Sequence, residues 1–333
     1  MEHFTRSLDR FQQELEALQR SRHDLTAENA EAVREACWRH AEEQLGHTAG
    51  HDFSRTYKSH PVSGLVAKSA FIRSALEKKY GYAGDKDLME MIYDNQWVGE
   101  DDFTRMLNAV YLNLPAAEAV RQRMKTIARV LNALPSGSRV LNVACGSARE
   151  LSHVSNDIEV DLSDHDPHAL AHVARYRSGV AADLIRLNAF EFIKGKRTFD
   201  RHDGGPPVDL GERTYDLIYS NGLYDYIPAY PDNPARGAPA LTAGLFERLK
   251  PGGRLIIGNY ADQGPNNPHL RSHRFMMELY SEWTLIYRSR EQMLDFARTL
   301  PANTSRLDLY NERFEDPESN PTVLWFLVVT KVA

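Results

Sequence analysis

Long apolar runs are missing from this sequence. The longest, Val323 to Val329, is strand-sized, well short of the roughly 20 residues a membrane-spanning helix needs. An apolar stretch behind the start is missing too. Met1-Glu2-His3-Phe4-Thr5-Arg6 is charged, so no secretory signal is expected. Cysteine is scarce: Cys37 and Cys145 cannot make a disulfide framework, which suits a reducing, cytoplasmic setting. Nor is there a basic excess. The 40 Lys+Arg stand against 46 Asp+Glu, a formal charge of -6, which excludes a general nucleic-acid binder. No internal repeat is visible, and no signature of a particular oligomeric state. What is present is an ordinary globular composition, 42% hydrophobic and 26% charged over 333 residues. That length allows two domains, or one with an extension.

The chain has two rhythms. From Met1 to about Pro135 it reads as helices joined by short turns. Phe4, Leu8, Phe11, Leu15 and Leu18 recur at helical spacing. Thr26 is placed to cap a second helix reaching Leu45, with Glu28 in its first turn. Val62 to Lys79, Asp85 to Asn95, Glu100 to Leu112 and Pro115 to Leu134 continue the pattern. Residues 1–135 are therefore expected to form an all-helical cap. After Pro135-Ser136-Gly137 short β-rich runs take over: Arg139–Val143, Ile158–Ser163, Leu184–Asn188, Asp216–Ser220 and Arg254–Gly258. Helical stretches at Arg149–Ser155, Pro167–Arg177 and Ala238–Leu249 separate them. This alternation predicts an α/β domain over 136–333, with a parallel sheet covered by helices on both faces. Arg306–Phe314 and Thr322–Thr330 break the alternation and read as an antiparallel hairpin around a turn containing Asn320 and Pro321. Lys194 to Arg213, with Gly204-Gly205-Pro206-Pro207, reads as a surface insertion.

The run Val140-Leu141-Asn142-Val143-Ala144-Cys145-Gly146-Ser147-Ala148-Arg149-Glu150 is a strand, a tight small-residue turn and a helix start. Small residues let backbone approach a ligand, and a helix start offers unpaired N–H groups. The next strand ends at Asp164, whose carboxylate is placed to accept the ribose hydroxyls of a nucleotide-like cofactor, with Asp161 in reserve. Asp164, His165, Asp166 and His168 also invite a metal reading, but neighbouring loop residues rarely converge on one ion and no partner motif follows, so no metal is expected. Cys145 reads as a small turn residue.

These runs, followed by YDLIYSNGLYDYI and LKPGGRLIIGNY, resemble the class I S-adenosylmethionine (SAM)-dependent methyltransferases over about Ser138 to Lys331. The resemblance implies a Rossmann-like seven-stranded sheet, parallel apart from an antiparallel last strand. It implies that Ala144, Gly146 and Ala148 lie against the methionine part of SAM and that Asp164 holds the ribose. Asn188, Ala189 and Phe190 would contact adenine, and Ser220 would border the cofactor. A nicotinamide-binding Rossmann domain would explain neither the antiparallel tail nor Lys250-Pro251-Gly252-Gly253. Two departures stand out: the turn keeps a glycine only at Gly146, and Asn142 replaces the acid that commonly faces the cofactor's amino group.

Ser220-Asn221-Gly222-Leu223-Tyr224-Asp225-Tyr226 sits where substrate meets SAM in this family. Asn221 can orient polar groups, and Tyr224 and Tyr226 can face a cation; the bland alternative is that one of them only packs. Asp225 can be a base or a helix-start acid, and Gly258-Asn259-Tyr260 is a second rim. The motif YSNGLYDYI and Trp283-Thr284-Leu285-Ile286-Tyr287-Arg288 are also similar to a narrower group with long helical N-terminal regions. That group includes synthases of 3-hydroxy fatty acid methyl esters and of azetidine-2-carboxylate. The latter cyclise SAM through its own amine and release methylthioadenosine. Methyl transfer to a small molecule is the leading expectation. Cyclisation is the alternative, because a neutral Asn142 would favour the uncharged amine; a non-catalytic SAM-binding protein is third. Arg73, Lys78 and Lys79 are candidate cations for an acidic acceptor, or else a solvated helix face.

Overall fold

Helices fill the first half of the chain in the computed structural model: α1 (Glu2–Ser21), α2 (Ala27–Glu43), α3 (His51–Ser59), α4 (Pro61–Val66), α5 (Ala70–Glu77), α6 (Lys86–Asp94), α7 (Asp102–Leu112) and α8 (Pro115–Asn132). The structure describes residues 2–21, 24–44, 51–176, 181–262, 268–303, 305–317 and 322–332. The apolar spacing of α1 does what it predicts, burying Phe4, Leu8, Phe11 and Leu15. Thr26 caps α2 by accepting the Asn29 N–H; Leu45, the expected end of that helix, lies outside the described residues. The single helix expected over Val62 to Lys79 is two. Ser69 turns the chain between them, its hydroxyl capping Ile72 N–H at 3.5 Å and donating to Asn108 Oδ1 at 3.1 Å. α3 arises where the sequence suggested no element.

The second half supplies β1 (Ser138–Val143), β2 (Ile158–Asp164), α9 (Pro167–Tyr176), β3 (Ala181–Arg186), α10 (Ala189–Ile193), β4 (Thr198–Phe199), β5 (Val208–Asp209), β6 (Tyr215–Asn221), α11 (Gly237–Glu247), β7 (Leu249–Tyr260), α12 (Pro268–Tyr280), α13 (Arg290–Leu294), β8 (Ser305–Tyr310) and β9 (Leu324–Lys331). Seven strands form one sheet in the order β3-β2-β1-β6-β7-β9-β8. β1 pairs in parallel with β2 and β6, and β6 with β7, whereas β9 runs antiparallel to both β7 and β8. This is the seven-stranded sheet, parallel apart from one antiparallel strand, anticipated from the sequence. The expected insertion carries the short β4–β5 ribbon. Residues 318–321, with the turn residues Asn320 and Pro321, lie outside the described residues, as does Arg177. The helix expected over Arg149–Ser155 is a 3-10 helix, Arg149–His153, entered from a left-handed Ala148 rather than from the extended residue that starts an α-helix.

The chain divides into two compact units, Met1–Arg121 with Gln263–Thr284, and Gln122–Asp262 with Leu285–Ala333. α12 is thus part of the helical unit although it falls between β7 and β9 in sequence. In the sheet unit, strand order reverses between β1 and β6. Sheets of this kind bind ligands at such a switch point, outside the carboxyl ends of the strands. Leu141 and Val143 of β1, Ile218 of β6 and Leu255 and Ile257 of β7 are buried in one core that fixes these strand ends. Among the described residues, no helix is long and apolar enough to cross a membrane.

Candidate functional site

The turn after β1 alternates its backbone sense. Ala144, Gly146 and Ala148 have φ of 61°, 53° and 47°, all in the left-handed region that glycine enters without steric cost. The two alanines therefore keep the conformation that glycines would take in a glycine-rich turn. A Cβ built on Gly146 would meet no atom within 4 Å, so open space lies against the backbone at that position. Burial pushes the Cys145 thiol well above its usual range, with Asp164 and Glu150 adding to the effect. That thiol stays protonated and acts as a small turn residue.

Asp164 closes β2 beside this turn. Its Oδ2 accepts the Gly146 N–H at 2.9 Å, and its Oδ1 accepts the Asp166 N–H at 2.9 Å with His165 Nδ1 at 3.3 Å. A carboxylate has about four acceptor positions, and His165 beside it is half exposed. Asp161, the reserve, is committed elsewhere: its Oδ2 accepts Arg213 Nη1 and Tyr215 OH, each at 2.8 Å, inside the sheet. At the end of β3, Asn188 caps α10 by accepting the Phe190 N–H at 2.9 Å. Ala189 is buried, while Phe190 is 53% exposed.

Asn142 is buried and faces a carboxylate. Its amide donates to Glu150 Oε1 at 3.1 Å and to Tyr219 OH at 3.0 Å, and Tyr219 OH donates to Glu150 Oε1 at 2.7 Å. The charge that the sequence lacks at position 142 is present eight residues on, at Glu150. Burial and the Glu150 charge hold the Tyr219 phenol well above its ordinary pKa, so it remains a donor. Ser220 spends its hydroxyl on Val143 O at 2.8 Å, tying β6 to β1.

Beyond β6 the chain turns sharply at Gly222, whose φ of 99° calls for glycine. Asn221 Oδ1 is buried with no hydrogen-bond partner among the described residues. A Cβ on Gly258 would come within 3.0 Å of it, so the glycine keeps room for that oxygen. Tyr224, a candidate for facing a cation, is fully buried: its OH meets Thr242 Oγ1 at 3.1 Å and its ring lies 5.3 Å from that of Phe296. Tyr226 is 40% exposed. Asp225 is buried, with Oδ1 accepting the Tyr260 N–H at 2.8 Å. Burial raises its pKa to about 7, against the opposing pull of that N–H, Arg123 and Arg288.

Two buried arginines frame Asp225, and sequence reading assigned a role to neither. α8 brings Arg123 so close that its guanidinium nitrogens lie 3.5 and 3.9 Å from the Cβ position of Gly222, with Asp225 Oδ2 3.7 Å from the same point. Arg288 donates to Tyr224 O at 2.6 Å, to Ile227 O at 2.5 Å and to Asn259 Oδ1. Burial lowers its pKa to about 10, with Asp225 resisting. Asn259 in turn donates to Tyr260 O and Ile286 O, each at 2.9 Å, so its amide is committed to backbone. Glu150, Tyr219 and Arg123 were missed because their sequence spacing carries no signal; they meet the other residues only in the fold, from a 3-10 helix, β6 and α8.

No protein-family model matches the chain. A curated relative, the uncharacterized protein YnbC of Escherichia coli K12, is 25% identical over 223 residues, which is 63% of this chain and 35% of that protein. The chain thus spans about a third of that relative's length. A crystal structure from Bordetella parapertussis, described as a possible exported protein, superposes with a TM-score of 0.61 at 20% identity, covering 93% of this chain and 100% of that one. It shares this fold. N-methyltransferase NodS of Bradyrhizobium japonicum aligns with a TM-score of 0.42 at 10% identity, over 65% of this chain and 98% of its own.

Proposed function

We propose that the chain is a SAM-dependent methyltransferase acting on a small molecule. The observation that carries this reading is the bond between the Gly146 N–H of the left-handed turn and the Asp164 carboxylate at the end of β2. It unites the two elements a SAM-binding sheet needs at the strand-order reversal. The open space at Gly146 and the orphaned Asn221 oxygen fit a polar cofactor lying across the strand ends. Gly146 and the flanking alanines would let it approach the backbone, Asp164 would hold its ribose, and Phe190 would stack on its base. When bound, SAM supplies a methyl group activated by its sulfonium. Asn221 orients the acceptor, and Asp225, with a pKa about 7, takes up its proton. Arg123 and Arg288 stabilise the carboxylate before that transfer.

Glu150 bears on the alternative of azetidine-2-carboxylate formation. Ring closure needs an unprotonated amine, and a carboxylate bonded to Asn142 favours the ammonium form. Methyl transfer has no such requirement, so Glu150 favours it. Calorimetry with S-adenosylhomocysteine tests the cofactor site: saturable binding, lost in Asp164→Ala, is expected, and absent binding by folded wild type would overturn the reading. Mass spectrometry after incubation with SAM and a panel of small nucleophiles tests the reaction. S-Adenosylhomocysteine formed only with an acceptor supports methyl transfer; methylthioadenosine together with azetidine-2-carboxylate from SAM alone, above a no-enzyme control, would replace it with cyclisation.

A further inference from the structure

The helical unit holds a cavity of about 190 Å³ that the reading above does not use. Tyr57 and Tyr280 line it together with the apolar side chains of Ala67, Leu76 and Leu279. Gly64 of α4 borders the same space, and a Cβ built there would meet nothing within 4 Å. Half-exposed Lys58 and Glu282 also line the cavity, joined at 2.6 Å, and Lys78 approaches the other Glu282 oxygen at 3.9 Å. Lys58 and Glu282 of the lining thus form an ion pair, and Lys78, just outside the lining, adds a second ammonium group to it.

The backbone at this spot is strained. Lys78 and Glu282 have φ of 45° and 50°, and Lys78 is the C-cap of α5. Glycine is the residue such left-handed helix ends favour. Keeping a lysine and a glutamate there instead directs their charges to one place, and strain of this kind gathers at functional sites. The volume is that of about six waters at liquid density and lies below the range of about 300–1,000 Å³ for larger ligands. It suits a single ring or a short branched chain.

We propose that this cavity binds a small carboxylic acid with a compact apolar body, its carboxylate received by Lys58 and Lys78 and its body set against Ala67, Leu76 and Leu279. The proposal does not rest on the SAM reading. Calorimetry of the full chain with benzoate, and with benzamide as the uncharged counterpart, tests it. Saturable benzoate binding, about tenfold tighter than benzamide, is expected. Gly64→Leu fills the space and abolishes binding at unchanged Tm. Glu282→Gln releases both lysines and tightens benzoate about threefold. Absence of saturable benzoate binding to folded wild type, equal affinity for benzamide, or benzoate binding that survives Gly64→Leu overturns the proposal. Should Gly64→Leu fail to fold, the Lys58→Gln/Lys78→Gln double variant decides. Benzoate falling to the affinity of benzamide supports the site, and unchanged benzoate affinity removes it.

Discussion

Asp225 shows how position alone sets the chemistry of a residue. A carboxyl with a pKa about 7 in the fold and an ordinary value when unfolded binds its proton more tightly in the native state. Its contribution to stability is therefore fully present below about pH 4 and is lost as pH rises through about 7. The loss has a slope of at most about 1.4 kcal/mol per pH unit. Asp225→Asn keeps an acceptor for the Tyr260 N–H and removes the titration. Urea denaturation should find this variant more stable than wild type at pH 8 and equal to it near pH 4. The proposed methyl transfer should rise with pH to a plateau above about 7 in wild type, and the variant should lose most of its rate along with that limb. A variant as active as wild type at pH 8 would remove Asp225 from the reaction. The turn after β1 offers a second prediction. Half-buried Ala144 sits at φ 61°, a conformation costing about 1–2 kcal/mol for a residue with a Cβ. Ala144→Gly regains most of that cost less about 0.4–1 kcal/mol of added unfolded-chain entropy. Chemical denaturation should show a net gain of about 0.5–1 kcal/mol.

Single elements owe their limits to partners far away in sequence. Asn108 of α7 is fully buried; its Oδ1 accepts Ser69 Oγ at 3.1 Å and Phe71 N–H at 2.8 Å, fixing the start of α5. Asn108→Ala leaves a buried N–H unpaired and should cost about 1–3 kcal/mol. A urea midpoint unchanged from wild type would contradict this. The same contact explains what the sequence concealed. The apolar spacing of α1 and the Thr26 cap were legible because they depend on residues within a turn or two of one another. The break between α4 and α5 was not, since Ser69 is an unremarkable serine until Asn108 of another helix reaches it. The sheet followed the same division. The strand runs were readable along the chain, and Asp164 does stand at the end of β2. The buried group of Asn142, Glu150 and Tyr219 was not readable, because its members come from β1, the turn behind it and β6. Of the paired tyrosines, only the packing of Phe296 and Thr242 distinguishes buried Tyr224 from exposed Tyr226.

For the whole molecule, the dominant fact is that neither unit is one continuous stretch. The sheet unit is interrupted after β7 and resumes before α13, and the helical unit takes residues 263–284 from that gap. Phe275, Met276, Met277, Leu279 and Tyr280 of α12 are buried, so a fragment of residues 122–333 carries an apolar helix without its companions. Such a fragment should bind the dye ANS far more strongly than the full chain, and changing those five positions to serine or glutamine should abolish the excess. Equal dye binding by fragment and full chain would show that α12 does not need the other helices.

That interleaving also limits how such a protein can be rearranged by recombination. A single crossover between codons 122 and 262 leaves one parent's α1 to α7 with the other parent's α12, and one between codons 285 and 323 divides the sheet between β7 and β9. Exchange of the helical unit takes three crossovers, one near the codon for Arg121 and one at each end of codons 263–284. The helical unit and the sheet are thus expected to be inherited together, and changes in ligand preference to come from point substitution within the unit rather than from swapping it.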